Sequence, residues 1–236
     1  MQRKGSVRQL VVLVAFSAPF ISTGAVADDR DNMAPGLGVG VTARTTSGER
    51  IDTTRRQGVT LDYDYEDSGG FGFLGGSYLA GDGHGNDWDI RFGAGMGWRF
   101  AKMGIAMLSR GGEYQAAQGV GNVGYRATGF AFYTRLHPLD TRYLTATVDG
   151  YAGHYTTGKT SSCNCGGVVY ESVDAGDGYG YSARILMKLT SLIPGALSLN
   201  YTVDRIDFDA GALGGVTAAT RIMSRQAAIQ YHWQVR

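Results

Sequence analysis

The stretch DGHGNDWD, Asp82 to Asp89, puts two kinds of chemistry into eight residues. A carboxylate beside an imidazole, as Asp82 is beside His84, can activate water as a general base. Asp87 and Asp89 stand two apart, a spacing that places both carboxylates on one face of a strand. The Asp and Gly content also suits a calcium loop, but the spacing of an EF-hand is absent. Plain alternation along a strand produces a DxD pair as well. Elsewhere, SSCNC carries the only cysteines, Cys163 and Cys165. In an exported chain they are expected to oxidise to a tight disulfide. A metal held by both thiolates would need further ligands, and only His154 and Asp174 are near in sequence. Acyl hydrolysis needs a Ser–His pair, and no motif joins His154 or His232 to a serine. No cofactor and no metal are expected.

What positions these residues is clearest in DWDIRFGAGMGWRF, Asp87 to Phe100. Trp88, Ile90, Phe92, Ala94, Met96, Trp98 and Phe100 form one row. Asp87, Asp89, Arg91, Gly93, Gly95, Gly97 and Arg99 form the other. A strand sends alternate side chains to opposite faces, so this segment is a strand with one apolar face and one charged, Gly-rich face. VTLDYDY repeats the scheme, with Val59, Leu61, Tyr63 and Tyr65 against Thr60, Asp62 and Asp64.

The first residues read as a secretory leader. Arg3, Lys4 and Arg8 precede the apolar run Leu10 to Ile21, and Ala25-Val26-Ala27 supplies the small residues of a cleavage site before Asp28. Residues 1–27 are therefore expected to be a signal peptide and 28–236 one β-barrel domain. The run is too short to span ~30 Å of hydrocarbon as a helix. Removing the leader's three basic residues from 22 leaves 19 against 21 acidic ones, a balance of −2. Such a balance gives no electrostatic footprint for nucleic acid. The 37 glycines and 14 tyrosines, beside only 4 prolines, favour a β-rich chain.

Alternation recurs along the chain in ten segments: 36–46, 57–66, 71–80, 87–100, 103–112, 121–136, 143–156, 175–189, 196–208 and 217–235. Ten strands are expected, with eight as the alternative. Taking every second connection collects most of the long links on one side, among them SGERIDTTRR and TGKTSSCNCGGVVYESVD. The tight turns DSGG and AK fall on the other. Transmembrane barrels show that asymmetry.

The apolar face settles its own direction by length. Trp88 to Trp98 covers about 33 Å along a strand at ~3.3 Å per residue. Tilted by ~40°, that projects to about 25 Å, the height of an outer-membrane barrel's apolar band. Trp88 bounds one rim and Trp98 with Phe100 the other, where amphipathic rings favour a membrane interface. Tyr231 and Trp233 repeat the belt on the last strand. A secreted sandwich or lipocalin-like barrel would turn the same rows inside out, leaving Gly93, Gly95 and Gly97 on its wet face. The expected fold is all-β, an antiparallel transmembrane β-barrel with its apolar rows in lipid.

On these rows the chain resembles the small outer-membrane β-barrels of Gram-negative bacteria over nearly all of its length after the leader. It ends on Trp233, Gln234, Val235 and Arg236, without the terminal aromatic usual in that class. The resemblance implies an integral outer-membrane protein in contact with lipid and lipopolysaccharide. Any external partner is left open.

If aromatic rows face lipid, the opposite rows line the lumen. The ion-pair candidates there are Arg44, Asp62, Asp64, Asp87, Asp89, Arg91, Arg99, Arg126, Asp149, Arg184, Lys188 and Asp204. Mixed signs allow the charges to pair and close the lumen, whereas a one-sign lining would admit water and counter-ions. The expected role is a structural or surface-interaction protein, with a narrow pore for ions or small solutes as the alternative. Omptin-type proteases use acidic and histidine residues at a barrel rim, which makes a rim hydrolase built on Asp82, His84, Asp87 and Asp89 a third reading. Arg221 and Arg225 share a face with Ile229 and Trp233 but lie beyond the spanning length counted from Val235. They are expected to bind lipopolysaccharide phosphates.

Overall fold

Ten strands form where the alternation predicts ten. They are β1 (Asn32–Gly48), β2 (Ile51–Asp67), β3 (Gly70–Ala80), β4 (Asn86–Trp98), β5 (Ala101–Gln115), β6 (Asn122–Asp140), β7 (Leu144–Ser162), β8 (Val168–Lys188), β9 (Ala196–Phe208) and β10 (Thr220–Gln234). The computed structural model describes the backbone of residues 32–49, 51–67, 69–81, 85–115, 122–141, 143–162, 168–189, 195–209 and 219–234. Residues 1–27, Asp82, His84, Cys163 and Cys165 lie outside the described residues. So, therefore, do the signal-peptide, rim-histidine and disulfide expectations.

Every strand pairs antiparallel with its neighbour in sequence, and β1 pairs with β10 to close the barrel. Closure leaves no edge strand with unpaired backbone groups, the condition for placing a sheet in lipid. The alternation resolves into two environments. Val41, Val59, Leu61, Ile90, Phe92, Ile105, Phe130, Phe132, Leu199 and Ile229 are exposed on the exterior. Their alternates point inward and are largely buried. An apolar exterior around a polar, packed interior is the arrangement of a transmembrane barrel.

The outer aromatic residues occupy the positions the sequence assigns. Trp98 is 75% exposed, Phe100 and Trp233 are exposed, and Tyr231 packs edge-on against Trp233 with centroids 4.7 Å apart. Trp88 is half-covered at the opposite rim.

Several predicted loops are strand. SGERIDTTRR is not a link: β1 runs to Gly48, β2 starts at Ile51, and Arg56 is paired with Arg44. β7 and β8 likewise extend to Ser162 and from Val168. Polar hairpin arms continue the ladder past the apolar band because cross-strand pairing does not depend on an apolar face. Residues 137–142, HPLDTR, which lie between the alternating segments 121–136 and 143–156, also belong largely to β6, which continues to Asp140 across a register shift between Leu136 and Leu139. Pro138 lies in that irregularity, a place in a sheet where a missing N–H is tolerated.

The Gly-rich inner row of β4 has a steric cause. A Cβ on Gly93 would stand 2.8 Å from the Phe73 ring, and one on Gly95 would stand 2.5 Å from Phe71. These glycines leave room inside the barrel for two phenylalanines from β3, stacked at 6.2 Å.

Candidate functional site

The lumen holds its charges in two tiers. The first is built around Arg44 of β1. Its Nη1 donates to Asp87 Oδ1 at 2.8 Å, its Nη2 to Ser77 Oγ at 2.9 Å, and its Nε to Gln226 Oε1 at 3.0 Å. Asp89 also accepts from Arg44. Asp87 is completed by the Tyr114 hydroxyl at 2.8 Å. The Arg56 guanidinium lies 4.8 Å above the Tyr114 ring and 4.0 Å from Asp87. Arg110 donates to Ser224 Oγ at 2.7 Å and lies 3.9 Å from Asp204, which also accepts from Tyr151. Tyr125, Tyr155, Ile206, Phe208 and Ile222 are buried inside the barrel alongside these groups.

Arg135 of β6 centres the second tier. Its Nε donates to Asp149 Oδ1 at 3.0 Å, its Nη2 to Asp64 Oδ1 at 3.2 Å, and its Nη1 to Glu66 Oε2 at 3.3 Å. The same guanidinium lies 5.1, 5.7 and 5.9 Å from the rings of Phe71, Phe73 and Tyr133. Three carboxylates and three aromatic rings thus converge on one cation, whose side chain is 2% exposed. Arg184 binds Asp64. Lys102 reaches Glu66 at 2.9 Å and donates to the Gly70 carbonyl at 3.0 Å. His137 Nε2 sits 2.6 Å from Glu66 Oε1. Beside this tier, Arg91 faces Asp62 at 3.5 Å across a small chamber that also exposes Asp64, Asp149, Arg184, Asn200 and Thr202.

Among the described residues the two tiers balance. Arg44, Arg56 and Arg110 face Asp87, Asp89 and Asp204, and Arg91, Lys102, Arg135 and Arg184 face Asp62, Asp64, Glu66 and Asp149. Equal numbers of each sign leave the two tiers without net charge, unlike the one-sign lining of an ion path. The hydrogen bonds and ring contacts around them offset desolvation of the buried cations.

Nine of the twelve predicted lumen charges lie in these networks. Arg126 is a correction: it points outward, its guanidinium 5.6 Å from the ring of Trp88. Arg99 is another, since it lies in the turn after β4, partly exposed and 3.8 Å from Asp140. Lys188 occupies an inward position opposite Ala196 but makes no ion pair among the described residues. Sequence reasoning missed Arg56, Glu66, Lys102, Arg110, Arg135 and His137. In β6 both rows carry aromatics, so Phe130 and Phe132 outside do not by themselves separate Arg126 from Arg135. The small residues do: Ala127, Gly129 and Ala131 share Arg135's row, and a crowded lumen needs small side chains.

The catalytic candidates separate. Asp87 and Asp89 are engaged by Arg44 inside the barrel, Asp87 fully buried and Asp89 partly so. Ser198 Oγ and His232 Nε2 do meet, at 2.7 Å, a nucleophile–base contact with no sequence motif to announce it. Ser198 is 1% exposed, however, with Asn200 and Gln230 within reach of its hydroxyl. As it stands the pair is closed to a substrate. His154 bonds Asp177 at 3.0 Å on the exterior. No group of three or more His, Cys, Asp or Glu side chains among the described residues could hold a metal.

No protein-family model matches the chain, and no curated protein matches its sequence. Solved barrels do resemble it. The outer membrane protease OmpT from Escherichia coli aligns over 91% of this chain and 100% of its own, with TM-score 0.48 and 9% identity. Neisserial surface protein A aligns over 85% and 97%, with TM-score 0.44 and 8% identity. The outer membrane protein AlkL aligns over 91% and 97%, with TM-score 0.35 and 10% identity. The likeness is one of barrel architecture. A protease and a surface protein appear side by side, and at these scores neither carries an argument about what this barrel does.

Proposed function

We propose that this protein is an integral outer-membrane β-barrel with a closed lumen, acting as a structural or surface-interaction protein and not as a pore or an enzyme. The observation that carries this reading is Arg135, held by Asp64, Glu66 and Asp149 and walled by Phe71, Phe73 and Tyr133. A conducting path would need a continuous wet lining, whereas here a desolvated cation and packed rings occupy the lumen beside the chamber. The sign balance supports the same reading, because ion channels concentrate one sign at their constriction. Against a rim hydrolase stands the use of Asp87 and Asp89 as partners of Arg44.

The chamber at Arg91 is the observation that favours a narrow pore instead: the side chain is 37% exposed although it points into the barrel. Planar-bilayer recording separates the two. The closed reading expects no stable single-channel current from the refolded full chain, and expects currents once Arg135 and Tyr133 are both replaced by alanine. Regular unitary currents from the unmutated protein would overturn it.

A further inference from the structure

The exterior carries a cation pair that the lumen networks do not use. Thr45 of β1 is paired with Arg225 on one side and Arg55 on the other. Strands lie about 4.8 Å apart, so the two arginines leave the barrel wall about 10 Å from each other with a threonine between them. Both are exposed on the outer surface. Neither makes an ion pair among the described residues; Arg225 only approaches the Met223 sulfur at 4.0 Å. Among the described residues, the outward positions beside them are Thr53, Gln57, Val203, Met223 and Ala227, with no acid among them.

Arg221 and Arg205 differ in this respect. Both reach Asp207, at 3.1 Å and 2.7 Å. Of the two arginines that the sequence nominates for lipid contact, Arg221 is therefore partly neutralised and Arg225 is not. Arg55, which the sequence reading places in a loop, is brought beside it by the long β1–β2 hairpin.

Height along the barrel says what the pair meets. Trp233, Leu37 and Tyr63 form one outward row, and Arg225, Thr45 and Arg55 form the row eight residues further along the same three strands. Eight residues at ~3.3 Å and a tilt of ~40° separate the rows by about 20 Å. Between them lie Val39, Val41, Val59, Leu61 and Ile229, all exposed and apolar. The arginines thus sit at the far boundary of the apolar band, where a lipid leaflet carries its phosphates. Guanidinium groups bind phosphate through paired, charge-assisted hydrogen bonds.

We propose that Arg55 and Arg225, bridged by Thr45, form a binding site for the phosphate of a phosphorylated glycolipid, lipopolysaccharide in an outer leaflet, with Arg221 and Arg205 as weaker outer contributors. The site rests on the lipid-embedded reading of the barrel.

The test uses the full chain refolded in neutral detergent, with folding scored by heat-modifiable migration and stability by thermal melting. Purified lipopolysaccharide should raise the melting temperature of the parent protein, and dephosphorylated lipopolysaccharide should do so much less. Arg55→Gln/Arg225→Gln should fold as the parent does and lose at least half of the lipopolysaccharide-dependent rise, while Arg221→Gln keeps most of it. Equal rises in the parent and the double variant would overturn the site, as would equal rises with the dephosphorylated glycolipid. A rise of the same size with inorganic phosphate alone would overturn the lipid as its occupant. Failure of the parent to fold in detergent at all would count against the membrane reading itself, an outcome separable from the others.

Discussion

Arg135 Nε lies 3.0 Å from Asp149 Oδ1, and the two residues face each other directly in the β6–β7 register. The pair is the meeting point of strand geometry and electrostatics in this barrel. The register that aligns the backbone ladder also delivers the carboxylate to a guanidinium already held by Asp64 and Glu66.

Arg135→Ala should destabilise the folded barrel by about 3–5 kcal/mol, because it leaves buried carboxylates without their cation. Adding Asp149→Asn to that variant should recover part of the loss. Equilibrium refolding titrations of the four proteins measure the coupling directly, with a non-additivity of roughly 0.5–3 kcal/mol expected for residues in one network.

Arg91→Ala should cost far less. Arg91 contacts Asp62 only at 3.5 Å and borders the chamber, so water can replace much of what the side chain supplies. A loss of about 1 kcal/mol or below in the same titration is expected, the range of a solvated pair.

On the exterior, Phe92→Arg should destabilise by about 2–4 kcal/mol, since Phe92 lies near the middle of the apolar band. Met96→Arg should cost about 0–1 kcal/mol, because Met96 stands one outward step from Trp98 at the rim. Folding yield into bilayers of defined thickness reads the difference.

Gly95→Ser is expected to be expensive although Gly95 faces a polar lumen. Its new Cβ would meet the Phe71 ring and the Met103 carbonyl. Overpacking of this kind costs about 1–3 kcal/mol. Phe71→Leu in the same chain should relieve part of it.

At the β2–β3 turn, Asp67 Oδ1 accepts from the Gly69 and Gly70 amides at 2.9 and 2.5 Å, and Tyr65 donates to its other oxygen. The Gly70 amide above all, then the Tyr65 hydroxyl and the Gly69 amide, holds this carboxyl below the ordinary Asp range. A depressed pKa contributes stability above the unfolded value that is lost as pH falls through the folded one. The Gly69 and Gly70 amide resonances should therefore titrate below the usual carboxylate range, and Asp67→Asn should abolish that titration.

Much of the architecture was legible because period-2 alternation is a direct print of two solvents on one strand. Phe92 against Arg91, or Ile229 against Gln230, needs no tertiary information to assign. The lumen was legible only where one row was plainly apolar, as in β4. In β6, Phe132 and Tyr133 are neighbours of equal bulk, so Arg126 and Arg135 exchange environments if the phase is misjudged. Lys102 was hidden for a different reason. The alternation puts it in the tight turn AK, whereas the turn is Arg99–Phe100 and Lys102 is the second residue of β5; only the pairing of Gly97 with Lys102 shows that its side chain enters the barrel. The Ser198–His232 contact joins positions 34 residues apart, beyond any local pattern.

The lumen contacts also impose an order of assembly. Arg44 bonds Gln226 across 182 positions, Gln226 bonds Thr42 across 184, and Arg110 bonds Ser224 across 114. All three depend on β10, the last strand in sequence. Until β10 docks against β1, the cations of the early hairpins lack these partners, and such distant pairings reward the chain only after its loop-closure entropy has been met. A nine-strand intermediate would hold Arg44 and Arg110 beside an open seam. The seam strand therefore completes the network without neutralising it: before β10 arrives Arg44 already has Asp87 and Asp89 and Arg110 already has Asp204, and what β10 brings is the neutral Gln226 and Ser224 that fill the remaining donor positions.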